Sequence, residues 1–243
     1  MDGALPSAPM SQAPAMTEPA ILLVHGFSSS AEASWARNGW LDLLADAGRT
    51  VLAPDLLGHG TAAKPHAPAA YEAMEDEVRA AIDGVGPVDA VGFSMGARLL
   101  LVIEASHPGT FGRIVVGGIG RNLFARSDAE PVAAAIETQG EALDPLTRAF
   151  VAVATTPPND PRALAACLRR PSPELGVSEL ARVGCPVLVV VGDADTLAVP
   201  ADQLVDALPD ATLVTVKGAD HLGTMRGFGF LDAALGFLGA LPA

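Results

Sequence analysis

The sequence predicts an α/β fold, in which a mostly parallel sheet carries helices on both faces. Short apolar runs alternate along the chain with longer stretches of helical composition, which is typical of successive β-α-β units. The apolar runs show no alternation of polar and apolar residues, as expected for parallel strands that are buried on both faces. Strands are predicted at 21–24, 50–53, 89–92, 114–117, 187–191 and 212–216, and helices at 39–47, 71–82, 97–106, 200–207 and 228–238.

Composition limits the class of protein. A chain of 243 residues, 50% of them hydrophobic and 18% charged, suits one large domain covered on both sheet faces. Its 28 acidic and 15 basic residues give a net charge of −13, which disfavours an extended nucleic-acid surface and docking on anionic lipid. No apolar run reaches the roughly 18 residues of a membrane span. We therefore expect a small-molecule substrate, no nucleic-acid partner and no membrane span, while the oligomeric state stays open.

Two segments depart from the regular alternation. Residues 1–18 contain Pro, Ala, Ser and Met without Lys, Arg or a long apolar run, so we expect a disordered leader of a cytoplasmic protein and not a signal peptide. Further along, Asp128, Asp144 and Asp160 are each followed at once or shortly by Pro, which indicates helix starts. The sequence therefore predicts one domain over 19–243 with a small helical cap inserted at about 121–184.

The most informative motif is the G-x-S-x-G pattern from Gly92 to Gly96, with Ser94 at its centre. It follows the strand predicted at 89–92 and precedes the helix predicted at 97–106. A serine on such a strand-to-helix turn is held in a strained backbone conformation with its hydroxyl pointing out of the fold. The flanking glycines are needed because side chains there would collide with the tight turn. The pattern predicts a nucleophile elbow.

Four further segments accompany this motif. They are ILLVHGF from Ile21, PDLLGHG from Pro54, VVVGDAD from Val189 and GADH from Gly218. With the elbow, they make the chain similar to the α/β-hydrolase family from residue 19 onwards, apart from the segment of about 121–184. The resemblance implies the α/β-hydrolase fold, with a nucleophile, an acid and a histidine in that order. Many relatives have His and Gly where this chain has Phe93 and Ala97, and we expect these differences to alter the pocket wall without loss of chemistry.

Ser94 is the candidate nucleophile, and it needs an adjacent base because a free hydroxyl is a weak nucleophile. His221 is the candidate base, since it lies on a loop after the last predicted strand, in the position that the resemblance implies. His25 and His59 lie in glycine-flanked loops, and His107 ends a predicted helix, so we interpret these three as structural residues.

Two carboxylates, Asp193 and Asp195, compete for the role of the acid that orients the histidine. The resemblance favours Asp195, because the family pattern continues with an apolar residue and Pro, as Leu197 and Pro200 do here. Asp193 then becomes a turn residue.

Acyl transfer needs hydrogen-bond donors at the position where the oxyanion develops. The backbone N–H of Met95, directly after the nucleophile, is one candidate, and the resemblance implies the N–H of Phe27 as the other. Phe27 also fits a plain core aromatic, and the two roles are compatible. The substrate pocket is assigned to Phe93, Phe124 and Phe150, although packing of a cap helix on the main domain would use the same kind of residue.

No cofactor and no metal is predicted. The chain has two cysteines, Cys167 and Cys185, no C-x-x-C motif and no His and Cys cluster with metal-ligand spacing. Cys185 opens a predicted buried strand, where a small apolar thiol is the simplest interpretation.

These residues together predict an enzyme, a serine hydrolase that cleaves small, mainly apolar carboxylic esters through an acyl-enzyme. A thioesterase or a C–C bond hydrolase would use the same Ser-His-Asp triad, because selectivity lies in the cap. A ligand-binding member of the fold without catalysis is the alternative from a different class.

Overall fold

The computed structural model describes residues 18–125, 129–138 and 145–241. Residues 1–17 of the expected leader, and the predicted helix starts at Asp128 and Asp144, lie outside the described residues. Within these ranges no helix combines the length and the apolarity that a bilayer crossing requires.

A six-stranded sheet lies at the centre of the fold, and every neighbouring pair of strands is parallel. Its strands are β1 (Ala20–Val24), β2 (Val51–Leu52), β3 (Val88–Phe93), β4 (Ile114–Gly117), β5 (Val187–Gly192) and β6 (Ala211–Val216). The order across the sheet is β2-β1-β3-β4-β5-β6. The direction in which successive strands are added to the sheet therefore reverses between β1 and β3. Ligands of open α/β sheets bind at the carboxyl ends of the strands beside such a reversal. The loops after β1 and β3 are therefore placed to form a site.

Helices cover both faces of this sheet. In the described ranges they are α1 (Trp40–Asp46), α2 (Met74–Ala80), α3 (Met95–Ser106), α4 (Glu130–Thr138), α5 (Pro145–Ala154), α6 (Pro161–Leu168), α7 (Val177–Leu180), α8 (Asp202–Ala207), α9 (His221–Arg226) and α10 (Phe228–Leu238). Leu22 and Val24 of β1 pack with α2, α3, α7 and α8, whereas Ile21 and Leu23 pack with α1, α9 and α10. Both faces are apolar, which explains the absence of alternation in the strands. The predicted α/β fold is confirmed.

Besides 3₁₀ turns, three short helical segments are absent from the sequence-based prediction. They are a π-helical turn at Glu32–Ala36 and the helices α7 and α9. Each has only four to six residues, too few to show the periodicity from which a helix is predicted. The helix predicted at 71–82 is divided, since a 3₁₀ turn at Pro68–Tyr71 precedes the shorter α2.

Helices α4, α5 and α6, which we call the insert, lie between β4 and β5 and have a small core of their own. Ile136, Ala154 and Leu164 are buried in it, and Phe27 from the loop after β1 packs against them. Helix α7 also falls in the predicted cap segment of about 121–184, but it packs against α3 and α8. The separate helical layer is therefore shorter than that segment.

Local hydrogen bonds fix the ends of the insert helices. Asp160 begins α6 as the sequence predicts, because its carboxylate accepts hydrogen bonds from the amides of Arg162 and Ala163 at 3.0 and 3.2 Å. At the other end of α6, the guanidinium of Arg169 pairs with Glu130 of α4 at 2.8 Å. The pair with Arg169 thus links the end of α6 to α4.

A buried charge network closes the amino-terminal edge of the sheet. Asp89, at the start of β3, accepts hydrogen bonds from the guanidinium groups of Arg49 at 3.0 Å and Arg113 at 2.8 Å. Arg49 also donates to the carbonyl of Pro19 at 2.9 Å and to that of Leu238 at 3.1 Å. The side chains of Asp89 and Arg49 are each only 1% exposed, so their charges are neutralised by each other and not by water.

We predict that Asp89→Ala lowers the free energy of unfolding by about 3–5 kcal/mol, because removing one partner leaves buried guanidinium charge without compensation. Urea unfolding followed by circular dichroism measures the change. Asp83→Ala is the matched control, since Asp83 is exposed and its loss should change stability by less than about 0.5 kcal/mol. Equal stability of the two variants would contradict this account of the network.

Candidate active site

Ser94 lies on a strained turn between β3 and α3. Its backbone has φ 52° and ψ −110°, a conformation that costs a non-glycine residue on the order of 1–3 kcal/mol. A side chain at Gly92 would come within 2.7 Å of the amide nitrogen of Ala97, and one at Gly96 would collide with the carbonyl oxygen of Val24. The turn thus has the close backbone approach that the G-x-S-x-G pattern predicts.

His221 and Asp195 form a hydrogen-bonded pair at the carboxyl ends of the neighbouring strands. His221 is the first residue of α9, whose N-cap Asp220 accepts a hydrogen bond from the amide of Gly223 at 2.7 Å. Its Nδ1 lies 2.8 Å from Oδ2 of Asp195, which follows β5. Since a carboxylate only accepts, Nδ1–H is the donor, and Nε2 takes no part in this hydrogen bond.

Asp195 is fully buried, and both oxygens of its carboxylate accept hydrogen bonds. Its second oxygen accepts from the amides of Leu197 at 3.0 Å and Ala198 at 3.2 Å. Burial alone raises the pKa of Asp195, but the hydrogen bonds from His221 and from these amides outweigh burial and lower it below its ordinary value. Asp195 is therefore ionised at neutral pH beside the imidazole.

The rival carboxylate, Asp193, occupies a different environment. Its side chain is exposed and accepts a hydrogen bond from the amide of Gly218 at 2.6 Å. It bridges the turns that follow β5 and β6. The structure thus brings Asp195, and not Asp193, to the imidazole of His221.

A cavity of about 200 Å³ lies beside these residues, and Ser94 and His221 both line it. Phe93 and Phe150, two of the residues assigned to the pocket, also line it. Among the described residues, no hydrogen bond joins the Ser94 hydroxyl to His221. Contacts of this kind commonly tighten only when substrate binds. In this structure the two side chains are linked by the cavity that both of them line.

Phe124, the third residue assigned to the pocket, lies outside the lining of this cavity. It is partly buried against the core that α2, α3, α7 and α8 form with the sheet. It follows a 3₁₀ turn at Arg121–Leu123, which begins shortly after β4, and its side chain packs against the sheet domain. Phe150 on α5 is the aromatic residue that the insert contributes to the cavity.

Phe93 packs against the candidate base. Its ring centroid lies 5.0 Å from that of His221 and 5.9 Å from that of Phe230 in α10. A side chain at Gly118 would collide with both Phe93 and His221, at 2.7 and 2.9 Å. The aromatic residue before Ser94 therefore packs against the imidazole as well as forming part of the cavity wall.

The two candidate oxyanion donors lie on adjacent turns. Phe27 follows β1 and Met95 begins α3, and in the described part of the chain neither backbone N–H donates a hydrogen bond to another residue. The ring of Phe27 contacts the rings of His59 at 5.8 Å and Phe150 at 6.2 Å. Phe27 is thus a packed aromatic residue whose amide is free to bind a ligand.

Two buried histidines brace the loop that carries Phe27. Nδ1–H of His25 donates to the carbonyl of Gly26 at 2.8 Å, and Nε2 accepts from the amide of Leu56 at 3.1 Å. Burial lowers the pKa of His25 and, together with the nearby His25, lowers that of His59 to about 3. Both rings are therefore neutral at ordinary pH, consistent with structural roles.

Several cavity residues escape the sequence analysis. They are small or polar residues between β1 and α1 and residues of α9, where the only sequence signal is the serine run directly after the HGF motif: Ser28, Ser29, Ser34, Asn38, Leu222, Met225 and Arg226. Across 18–125, 129–138 and 145–241, no group of three or more His, Cys, Asp or Glu residues is arranged to hold a metal ion.

The fold recurs in known proteins. The model of the alpha/beta hydrolase family matches residues 21–233. The chain is 26% identical to a thermostable monoacylglycerol lipase from Bacillus sp. (strain H-257) over 84% of its own length and 83% of the relative. It is 31% identical to pyrrolizixenacetamide deacetylase from Xenorhabdus hominickii over 41% of this chain, but only 37% of that protein is covered. The structure of MenH from S. aureus superimposes with a TM-score of 0.73 at 17% identity, covering 94% of this chain and 96% of that one. The chain therefore belongs to the alpha/beta hydrolase family.

Proposed function

We propose that this hydrolase cleaves carboxylic esters, with Ser94 as nucleophile, His221 as base and Asp195 as the orienting acid. The observation that carries the proposal is the 2.8 Å hydrogen bond between His221 and a buried, ionised Asp195, on the same cavity as the strained Ser94. A neutral imidazole with Nδ1 held by a carboxylate has Nε2 available to accept a proton. That is the arrangement a serine hydroxyl requires to attack a carbonyl.

In this mechanism the Ser94 oxygen bonds to the ester carbonyl carbon while its proton moves to Nε2 of His221. The amides of Phe27 and Met95 stabilise the negative charge that develops on the carbonyl oxygen. His221 then protonates the departing alcohol, and Asp195 stabilises the transient imidazolium without taking up a proton. Water, activated by the same imidazole, hydrolyses the acyl-enzyme and regenerates Ser94.

The insert acts as a cap that limits the substrate. Helix α5 supplies Phe150 and Val153 to the cavity, and α9 supplies Leu222 and Met225. A cavity of about 200 Å³ is smaller than the roughly 300–1,000 Å³ of common ligand pockets, so the ester is small or only partly enclosed. One relative that matches over most of the chain is a lipase, which supports ester chemistry.

Replacement of the nucleophile tests the proposal directly. Ser94→Ala should fold normally and lower kcat by on the order of 10⁶, because nucleophile and base work as a unit. The hydrolysis rate of p-nitrophenyl butyrate and covalent labelling by a fluorophosphonate are the measurements. Ser106→Ala, at the exposed end of α3, should retain both. An alanine variant at 94 with a tenth of the wild-type rate would rule out Ser94 as nucleophile.

The two carboxylates give a second test. Asp195→Asn should lower kcat by up to about 10⁴, because the amide no longer fixes the imidazole tautomer or stabilises its charge. Asp193→Asn keeps an acceptor for the amide of Gly218 and should change kcat little. Both variants are compared on one ester. A larger loss for Asp193→Asn would transfer the acid role to that residue.

The two phenylalanines test the pocket. Phe150→Ala enlarges the cavity, so its optimal acyl length should move to longer chains, each added methylene gaining about 1 kcal/mol while it fits. Phe124→Ala, outside the cavity, should keep the wild-type profile even where it lowers stability. The measurement is kcat/KM across p-nitrophenyl esters from acetate to dodecanoate. Identical profiles for both variants would remove Phe150 from the pocket.

A further inference from the structure

Two parts of the cavity lining beside Ser94 differ in chemistry. Helices α5 and α9 contribute the apolar side chains of Phe150, Val153, Leu222 and Met225. The chain between β1 and α1 contributes a second part of the wall, which carries three hydroxyl groups and one amide. We call it the hydroxyl wall, and it consists of Ser28, Ser29, Ser34 and Asn38.

A local distortion of the backbone places part of this wall. The turn at Glu32–Ala36 is π-helical, with the amide of Arg37 donating to the carbonyl of Glu32 at 3.0 Å. It carries Ser34, whose hydroxyl lies 2.7 Å from that of Ser29. Asn38 follows the turn and donates through Nδ2 to the carbonyl of Ser34 at 2.8 Å. Such wide turns occur frequently at functional sites.

Ser28 is the second strained residue on the cavity. Its φ of 55° is a conformation that glycine adopts without strain, so the turn alone does not require a side chain there. The residue is buried, and its hydroxyl makes no hydrogen bond to any part of the chain that the structure describes. Its carbonyl accepts a hydrogen bond from Asn159 at 3.2 Å, which holds the strained turn against the insert. What serine adds at this position is a hydroxyl group on the cavity wall.

The unused groups of this wall define the ligand that it fits. One of the two hydroxyl hydrogens of the Ser29 and Ser34 pair is free, Ser28 offers a donor and an acceptor, and Oδ1 of Asn38 is an acceptor without a partner among the described residues. Hydroxyl groups both donate and accept, whereas an anion only accepts. The net charge of −13 repels anions at long range, whereas Arg226 also lines the cavity, so an anionic ester belongs in the test.

Resting on the proposed hydrolysis at Ser94, we propose that the hydroxyl wall binds an uncharged, hydroxyl-bearing group of the substrate. The ester then has one apolar part, against Phe150 and Leu222, and one hydroxylated part, against Ser34 and Asn38. An ester of a polyol carries its hydroxyl groups on the alcohol side, and an ester of a hydroxy acid carries them on the acyl side. The wall recognises the chemistry that both have in common.

The test compares esters that differ only in these groups. Glyceryl monobutyrate and propyl 3-hydroxybutyrate are each compared with propyl butyrate by kcat/KM. Monopropyl succinate is measured in the same way as an anionic ester. One hydroxylated ester should exceed propyl butyrate by about tenfold, since each hydrogen bond contributes roughly threefold to tenfold. The ester that is preferred identifies the side on which the hydroxyl group lies.

Variants connect the preference to the wall. Ser34→Ala and Asn38→Leu should each reduce the ratio of hydroxylated to apolar ester by about threefold or more, mainly through KM. Ser106→Ala, remote from the cavity, should keep the wild-type ratio. A ratio of two rates from one preparation does not depend on the fraction of folded enzyme, so a variant that folds poorly still reports on the wall.

The outcomes separate this inference from the function on which it rests. Two results overturn the hydroxyl wall alone. One is hydrolysis of propyl butyrate without preference for either hydroxylated ester, and the other is a preference that both variants retain. Preference for monopropyl succinate assigns the polar group to the exposed Arg226 and also overturns it. Absence of both ester hydrolysis and fluorophosphonate labelling overturns the proposed function, and the inference with it.

Discussion

The contact between the turn at Ser94 and the loop after β1 is the constraint on which the site depends. Gly96 lies so close to the carbonyls of Val24 and His25 that no side chain fits between them. This contact fixes the first turn of α3 against the end of β1. Because Met95 is in that turn and Phe27 is in that loop, their amides have one relative position. The strain at Ser94 is sustained by the same packing.

The loop after β1 is also where the sheet domain and the insert meet. On the sheet side, His25 and the turn at Ser94 hold the backbone of this loop. On the insert side, the ring of Phe27 packs against the small core of the insert. Asn159, between α5 and α6, donates a hydrogen bond to the carbonyl of Ser28 in the same loop. Ser94 and His221 thus lie at the edge of the sheet, and α5 of the insert lines the cavity beside them. Changes in the insert are therefore a route to new selectivity with unchanged chemistry.

The fold was predictable because six apolar runs mark six strands, and the strand ends agree within one residue. The site was predictable only in part. Asp193 and Asp195 both follow β5, and only tertiary packing buries one of them against an imidazole. Phe124 and Phe150 are both aromatic residues in the predicted cap segment, and the sequence does not show which of them faces the cavity. Small polar residues after a strand are typical of loops, so the hydroxyl wall carries no distinctive signal.

The network around Asp89 links residues that are far apart along the chain. Arg49 binds the carbonyls of Pro19 and Leu238 as well as the carboxylate, and Arg113 binds the carbonyl of Phe237. The two guanidinium groups reach all of these acceptors only when β3 and the end of α10 are folded together. A partly folded state would bury guanidinium groups with too few acceptors. The network therefore couples the start of the first strand to the end of the last helix through the side chain of Arg49.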